Sequence, residues 1–371
     1  MATEVTISDF PEDSTLQKWF RPLIEHGSSF CASNLQTTPA FLRTPRVEFP
    51  LSVNAAEWDN SWICSPWNHY ITYAAEEIDR ATGKVTSRIA SEVLRGIGAW
   101  FRRAELNRVV MVNNWLLSTN SWPAWEAGEL REVIAALVDR WPDHAIVFRS
   151  LNPKESTPLM EELTRVRASL IPSRQVWWYE ANSNAVARSR DVRKDISLLN
   201  RGDLEIVPNE SIQTSDFPAL TKLYNQLYLE KYSRHNPQFT GQWLAHLHRE
   251  NLIRFTALRK SNREFAGVEG CFVSHGIVTS PLVGYDLTLP HQLGLYRRLA
   301  VMPILEARRL GLPLNLSAGV GRYKSLRGGE PVMEYLGLYD RHLPLSRRLP
   351  WQCIQQLSSK LLAPYVRSRR L

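Results

Sequence analysis

The chain has 371 residues, of which 44% are hydrophobic and 10% aromatic, enough to bury a sizeable core in two lobes. Its net charge of +8 and pI near 9.4 suit an anionic partner such as RNA, a phosphorylated cofactor or an acidic carrier protein. No segment is of low complexity and no stretch reaches the roughly 20 apolar residues of a membrane helix, so disorder and a membrane span are excluded as organising features.

Four scattered cysteines (Cys31, Cys64, Cys271, Cys353) form no CxxC pair, which reads as reduced thiols rather than a disulfide framework or zinc knuckle. The acidic opening MATEVTISDFPED lacks the apolar run of a secretory signal, so a cytoplasmic location is expected. Residues 1–45, rich in Ser, Thr and Pro, are expected to wrap the surface as an irregular segment. RVEFPLSV (46–53) reads as a strand and WNHYITYAAEEIDR (67–80) as a helix. A second helix over 85–106 places Ile89, Val93, Ile97, Trp100 and Phe101 on one face. RVVMVNNWLL (108–117) is a strand, 126–141 a helix through Leu130, Val133, Ile134, Leu137 and Trp141, and AIVFRSL (145–151) a strand. A helix at 159–170 and a strand at 174–181 follow, an alternation that indicates an α/β layer architecture.

A second phase begins near 182. In ARSRDVRKDISLLNRG (187–202), Val192, Ile196 and Leu199 share one helical face, the opposite face is basic, and Ser189 stands at the N-cap position. Residues 216–232 form an amphipathic helix, and 253–259, 264–273 and 277–287 read as an antiparallel meander with turn-forming links. A helix over 294–310, which Pro303 should kink, precedes short strands at 312–319 and 332–340. An amphipathic segment at 351–362 leads to Arg367, Arg369 and Arg370.

SAGVGRYKSLRGGEP (317–331) has the look of a phosphate loop but fails on spacing. Tyr323, not glycine, precedes Lys324, and Lys324 stands where a dinucleotide fingerprint needs its third glycine. His246 and His248 lie two apart, the wrong interval for a metalloprotease helix, so no metal is expected. There is no G-x-S-x-G, and Cys271 sits inside a strand with no histidine at a recognisable spacing. By contrast, GYDLTLPHQLGLYRRLA (284–300) runs from a strand straight into a helix, whose free N–H groups and positive dipole end make a ready site for a pyrophosphate. An ordinary strand–helix turn with surface arginines is the competing reading.

The order of three meander strands, a helix, a strand, a Gly/Lys loop and a final strand resembles the acyl-CoA-binding core of the GNAT acyltransferase superfamily. Residues 182–342 look like the double-GNAT branch that includes FemABX-type aminoacyl transferases. The segments carrying the resemblance are SRDVRKDISLLNRGDLEI (189–206), FPALTKLYNQLYLEKYSRHNPQFT (217–240) and GLYRRLAVMPILEARRLGLPLNLSAGVGRYKSLRGGEP (294–331). The superfamily's cofactor loop runs Q/R-x-x-G-x-G/A. Here Gly294 follows Gln292 one residue too soon, and Tyr296 replaces the last small residue.

The resemblance implies two GNAT-like lobes, each a mixed, mostly antiparallel sheet flanked by helices: an N-terminal lobe at 46–181 and a C-terminal lobe with the donor site at 182–345. The segment 346–371 would be a basic amphipathic tail. The implied reaction moves an acyl or aminoacyl group from a thioester or ester donor, acyl-CoA or acyl-carrier protein, to an amine on a small molecule or peptide. No tightly bound cofactor is expected. An aminoacyl-tRNA-dependent transferase and a non-catalytic binding module on the same fold are the alternatives. Such chemistry needs a base for the amine and an acid for the leaving group. Glu269 and Asp286 are the candidate bases and Tyr285, Tyr296 and Tyr323 the candidate acids; the donor edge is placed at Val283 to Leu287. Gln292, Gly294, Tyr296, Arg297, Lys324 and Arg327 are the candidate cofactor-binding residues. A solvated strand-face carboxylate is the plain reading of Glu269, and packing that of the tyrosines.

Overall fold

The computed structural model describes residues 5–72, 76, 96–126, 128–180 and 183–364. They divide into two compact units. The first comprises Met1–Ser173, His235–Gln238 and Tyr335–Pro364, the second Arg174–Arg234 and Phe239–Glu334. Two of the passages between units fall inside strands, β6 (Ser169–Tyr179) and β12 (Glu330–Tyr339), and the other two flank His235–Gln238. Among the described residues no helix is long and apolar enough to cross a membrane.

The sheet of the first unit is built from β1 (Thr6–Ser8), β2 (Thr38–Arg43), β3 (Glu48–Asn54), β4 (Val109–Val112) and β5 (Ala145–Leu151), with β12 alongside β5. All neighbours are antiparallel except β4 and β5, which run parallel over four residue pairs from Val109↔Ala145 to Val112↔Phe148. Alternation decides which core each side chain enters. Val110, Val112, Ile146 and Phe148 pack with Leu130, Val133 and Leu137 of helix α2 (Leu130–Arg140). Val109, Met111, Ala145 and Val147 join a second core on the opposite face, with Phe101, Trp351 and Ile354. Both faces of these central strands are therefore dry, which is why their sequences are continuously apolar.

Among the described residues, 5–45 are not an irregular segment. Helix α1 (Ser14–His26) begins at Asp13, whose carboxylate accepts the N–H groups of Thr15 and Leu16 at 2.8 and 2.9 Å, a satisfied N-cap. Leu16, Trp19, Phe20 and Leu23 are its buried stripe. The strand expected over 108–117 stops at Val112, because Asn113 turns to a φ of 58° and its side-chain amide donates to the Ser121 carbonyl. Of the helices expected at 67–80 and 85–106, residues 73–75 and 77–95 lie outside the described residues; a wide turn at Asn68–Thr72 and helical backbone at 96–103 are present. Helix α3 (Thr157–Arg165) links β5 to β6, and the closing helix is longer than the sequence suggested, Leu345–Leu357.

The second unit repeats the pairing pattern. Its sheet runs β7 (Glu205–Val207), β8 (Arg254–Arg259), β9 (Phe265–Ser274), β10 (Ile277–Tyr285), β11 (Leu314–Asn315), with β6 alongside β11. Again three antiparallel pairings are followed by one parallel and one antiparallel. Each unit is thus a mixed, mostly antiparallel sheet flanked by helices, and each takes its last strand from a distant part of the chain.

Helices α4 (Asn184–Arg188) and α5 (Arg190–Leu199) precede β7, and Ser189 caps α5 through the Val192 N–H as the sequence indicated. Helices α6 (Phe217–Asn225) and α7 (Gly241–Arg249) precede β8, and a wide turn at Gln226–Tyr232 extends α6. Helix α8 (Leu295–Leu310) links β10 to β11 and is unbroken across the buried Pro303; α9 (Gly321–Ser325) links β11 to β12. Two glycines let α6 and α8 press directly onto the meander. A Cβ at Gly267 would lie 2.9 Å from a Leu299 methyl, and one at Gly284 would collide with the backbone of Leu223 and Tyr224, 2.6 Å from the Leu223 carbonyl carbon. Backbone cannot step aside as a side chain can, so Gly284→Ala is expected to cost about 3 kcal/mol or more in urea unfolding. A loss under about 1 kcal/mol would refute this close approach.

Candidate active site

The two parallel pairs differ in one respect. β4 and β5 stay together for four residue pairs, whereas β10 and β11 meet only at Val278↔Leu314 and Thr279↔Asn315. Beyond Thr279, β10 continues to Tyr285 along β9 while β11 ends. The β9–β10 register slips by one residue between Thr279 and Leu282, a bulge that contains Ser280 and Pro281. Proline has no N–H for the ladder, which fits its place in a bulge.

Glu269 sits on β9 beside this irregularity, 2% exposed and opposite Val283. Its Oε1 accepts the Ser280 hydroxyl at 2.7 Å and the Cys271 thiol at 3.2 Å. Burial pushes its carboxyl up to about 7, against the pull of those two donors, and burial likewise raises the Cys271 thiol well above its usual range. A carboxylate poised near neutrality can exchange a proton with an amine at physiological pH. Asp286 is placed differently. It follows the end of β10, three residues past Val283 and so on the order of 10 Å along the strand. Its Oδ1 accepts the backbone N–H and hydroxyl of Thr288 at 2.9 and 2.6 Å, an Asx-type turn.

Tyrosines surround the diverging strands. The rings of Tyr285 and Tyr296 are 6.4 Å apart, those of Tyr296 and Tyr323 4.9 Å edge-on, and Tyr224 stacks on Tyr228 at 4.7 Å. Burial raises the hydroxyls of Tyr285 and Tyr296, and neighbouring tyrosines, Tyr232 among them, raise both further. They are therefore protonated at neutral pH and able to donate.

The turn into α8 contains Gln292, exposed in the short helical turn His291–Leu293, and Gly294, whose left-handed φ of 59° starts the helix. A Cβ at Gly294 would lie 2.7 Å from Leu198 of α5. Arg298 is fully buried beneath the turn. Its Nε donates to the Leu293 carbonyl at 2.9 Å and its Nη2 to both carboxylate oxygens of Asp203, at 2.7 and 2.9 Å, while Nη1 has no partner.

Two of the remaining candidate cations, Arg297 and Arg327, converge on a residue the sequence did not single out. Asp195 of α5 is fully buried and receives Arg297 Nε at 2.6 Å, Arg327 Nε at 2.5 Å and the Tyr323 hydroxyl at 2.9 Å. The Arg327 guanidinium lies 3.4 Å over the Tyr323 ring, a cation–π contact. Lys324 is buried too. Its ammonium donates to the carbonyls of Leu316, Ser317 and Ala318 at 2.7, 3.2 and 2.8 Å, and burial, reinforced by Arg174, pushes its pKa down to about 7. Arg297, Tyr323 and Arg327 are brought together, and Lys324 holds the exit of β11; Gln292 and Asp286 stand apart from them. Among the described residues no group of three His, Cys, Asp or Glu side chains could hold a metal ion.

No protein-family model and no curated protein sequence matches the chain. Solved structures similar to it include FemX (7% identity, 61% of this chain and 78% of that one, TM-score 0.46) and L-PGS from Bacillus licheniformis (11% identity, 61% and 77%, TM-score 0.44). A tandem GNAT protein from the clavulanic acid biosynthesis pathway aligns over 91% of this chain and 98% of its own, at 10% identity and TM-score 0.43.

The Asp195 cluster yields a test that needs no substrate. Removing one partner from a buried ion pair leaves the others uncompensated, so Asp195→Asn is expected to lose about 3–5 kcal/mol in urea denaturation. A loss below about 1 kcal/mol would mean that Arg297 and Arg327 are satisfied elsewhere.

Proposed function

We propose that the second unit transfers an acyl or aminoacyl group from a thioester or ester donor to an amine, with Glu269 as the base. The observation carrying this reading is the buried Glu269, poised near pH 7, beside a bulge at which β10 parts from its parallel neighbour. The donor carbonyl would lie along β10 beyond Thr279, where backbone groups freed from pairing with β11 can face the developing oxyanion. The amine nitrogen attacks that carbonyl carbon. A C–N bond forms, the C–S or C–O bond to the carrier breaks, and Glu269 takes the proton the amine sheds. A tyrosine hydroxyl at the strand divergence, Tyr285 or Tyr296, protonates the departing sulfur or oxygen.

Aminoacyl-tRNA is the second reading of the donor carrier. What favours it is that Arg297 and Arg327 are both already engaged by the Asp195 carboxylate instead of being held ready for a diphosphate. Ribonuclease sensitivity of amide formation separates the two carriers. A chain that is stabilised in thermal shift by none of a CoA thioester, a loaded carrier protein or aminoacyl-tRNA would favour a binding module.

Because the basic form of Glu269 is needed, kcat/KM should rise with pH through about 7 and then level. Glu269→Gln should abolish that limb and reduce kcat/KM by about 10²–10⁴-fold, with Asp286→Asn close to the parent. Full activity in Glu269→Gln would exclude the proposed base. Stability carries a matching signature. The folded carboxyl holds its proton up to about pH 7, the unfolded one only to about 4.5, so the charge destabilises the fold as pH rises across that interval. The Gln variant should therefore be more stable than the parent above pH 7, and the gap should close below about 4.5.

A further inference from the structure

The first unit holds a cavity of about 580 Å³ between the helical backbone at 96–103, the end of β12 and the closing helix. That volume lies within the range of small-molecule sites. Its wall joins two chemistries. Arg167, Arg341 and Arg348 line it with a single carboxylate, Asp340. Arg348, its side chain 30% exposed, pairs only loosely with that carboxylate, Nε standing 3.9 Å from Asp340, too far to hydrogen-bond. Arg167 and Arg341 are exposed and, among the described residues, have no carboxylate at ion-pairing distance. Apolar surface is open beside them: Trp100 is 41% and Leu349 42% exposed, and the buried Trp351 adds a second indole.

A part-exposed guanidinium not hydrogen-bonded to its carboxylate neighbour, excess positive charge and uncovered indole and leucine surface share one complement. We propose that this cavity binds a small organic anion with an apolar body. Its carboxylate or phosphate accepts from Arg348 with Arg341 and Arg167 beside it, and its aliphatic or aromatic part covers Trp100 and Leu349. Every residue of the site belongs to the first unit, so the assignment does not depend on the Glu269 chemistry.

The test uses the full chain and 8-anilinonaphthalene-1-sulfonate, a fluorescent anion with an aromatic body. Saturable binding is expected, with displacement by dodecanoate or phenyl phosphate; whichever displaces better identifies an aliphatic or an aromatic body. Dodecanol and inorganic phosphate, each carrying half of the required chemistry, should compete at least about tenfold less well. Arg348→Gln and, at the exposed position, Arg341→Gln should weaken binding, the former by about tenfold or more, and Trp100→Ala should weaken it several-fold. Failure of the parent to bind the probe would overturn the site. So would equal competition by dodecanol and dodecanoate, or parent-like binding in all three variants.

Discussion

A buried carboxylate with three donors organises the second unit. Asp195 lies on a helix that also carries Arg190, Arg193 and Lys194, yet it is turned inward with Val192 and Leu199. Through Arg297 it fixes the first turn of α8, and through Tyr323 and Arg327 it fixes the loop between β11 and β12. An isolated charge there would be prohibitively costly, and two guanidiniums with a phenol offset that cost through charge-assisted bonds. The pair of strands that parts, β10 and β11, is bracketed by the elements this cluster holds: α8 connects them, and the Tyr323–Arg327 segment follows the second. Lys324 reinforces the arrangement by gathering three successive carbonyls just past β11, so the backbone there is paired although it has left the sheet.

This fixed frame gives Glu269 its character. The carboxylate is dry because the middle of the meander is covered on both faces, by α6 against Gly284 and by α8 against Gly267. Its two hydrogen bonds come from a thiol and a hydroxyl, neither charged, so nothing nearby is strong enough to hold it ionised. The bulge brings Ser280 to it. The same local irregularity therefore supplies an orienting donor and the backbone divergence, which links the sheet's geometry to its chemistry.

Much of the fold was legible as pattern. AIVFRSL coincides with β5, the meander strands agree within two residues, and Ser189 caps the helix it precedes, because these features rest on period-2 or period-3.6 burial and local capping. Helix α1 went unread because Pro11, Pro22 and the surrounding Ser and Thr suggested a coil. The Asp13 cap and the Leu16, Trp19, Phe20, Leu23 spacing were the signals that outweighed composition. The site was legible only in part. Glu269 stands out as a carboxylate in an apolar strand, but Asp195 reads as one more surface charge on a basic helix. Its partners lie 102 to 132 residues away, and no local rule reports that distance. Whether a lysine or arginine in a glycine-rich loop meets a ligand or its own backbone is likewise a tertiary fact.

The central claim is that Glu269 is a buried base tuned to neutrality at the diverging strands. Its most direct measurement is a difference infrared titration of the carboxyl stretch, parent minus Glu269→Gln. The account predicts a single carboxyl band that disappears with a midpoint near pH 7. A midpoint near 4.5, the value of an ordinary solvated glutamate, would contradict it.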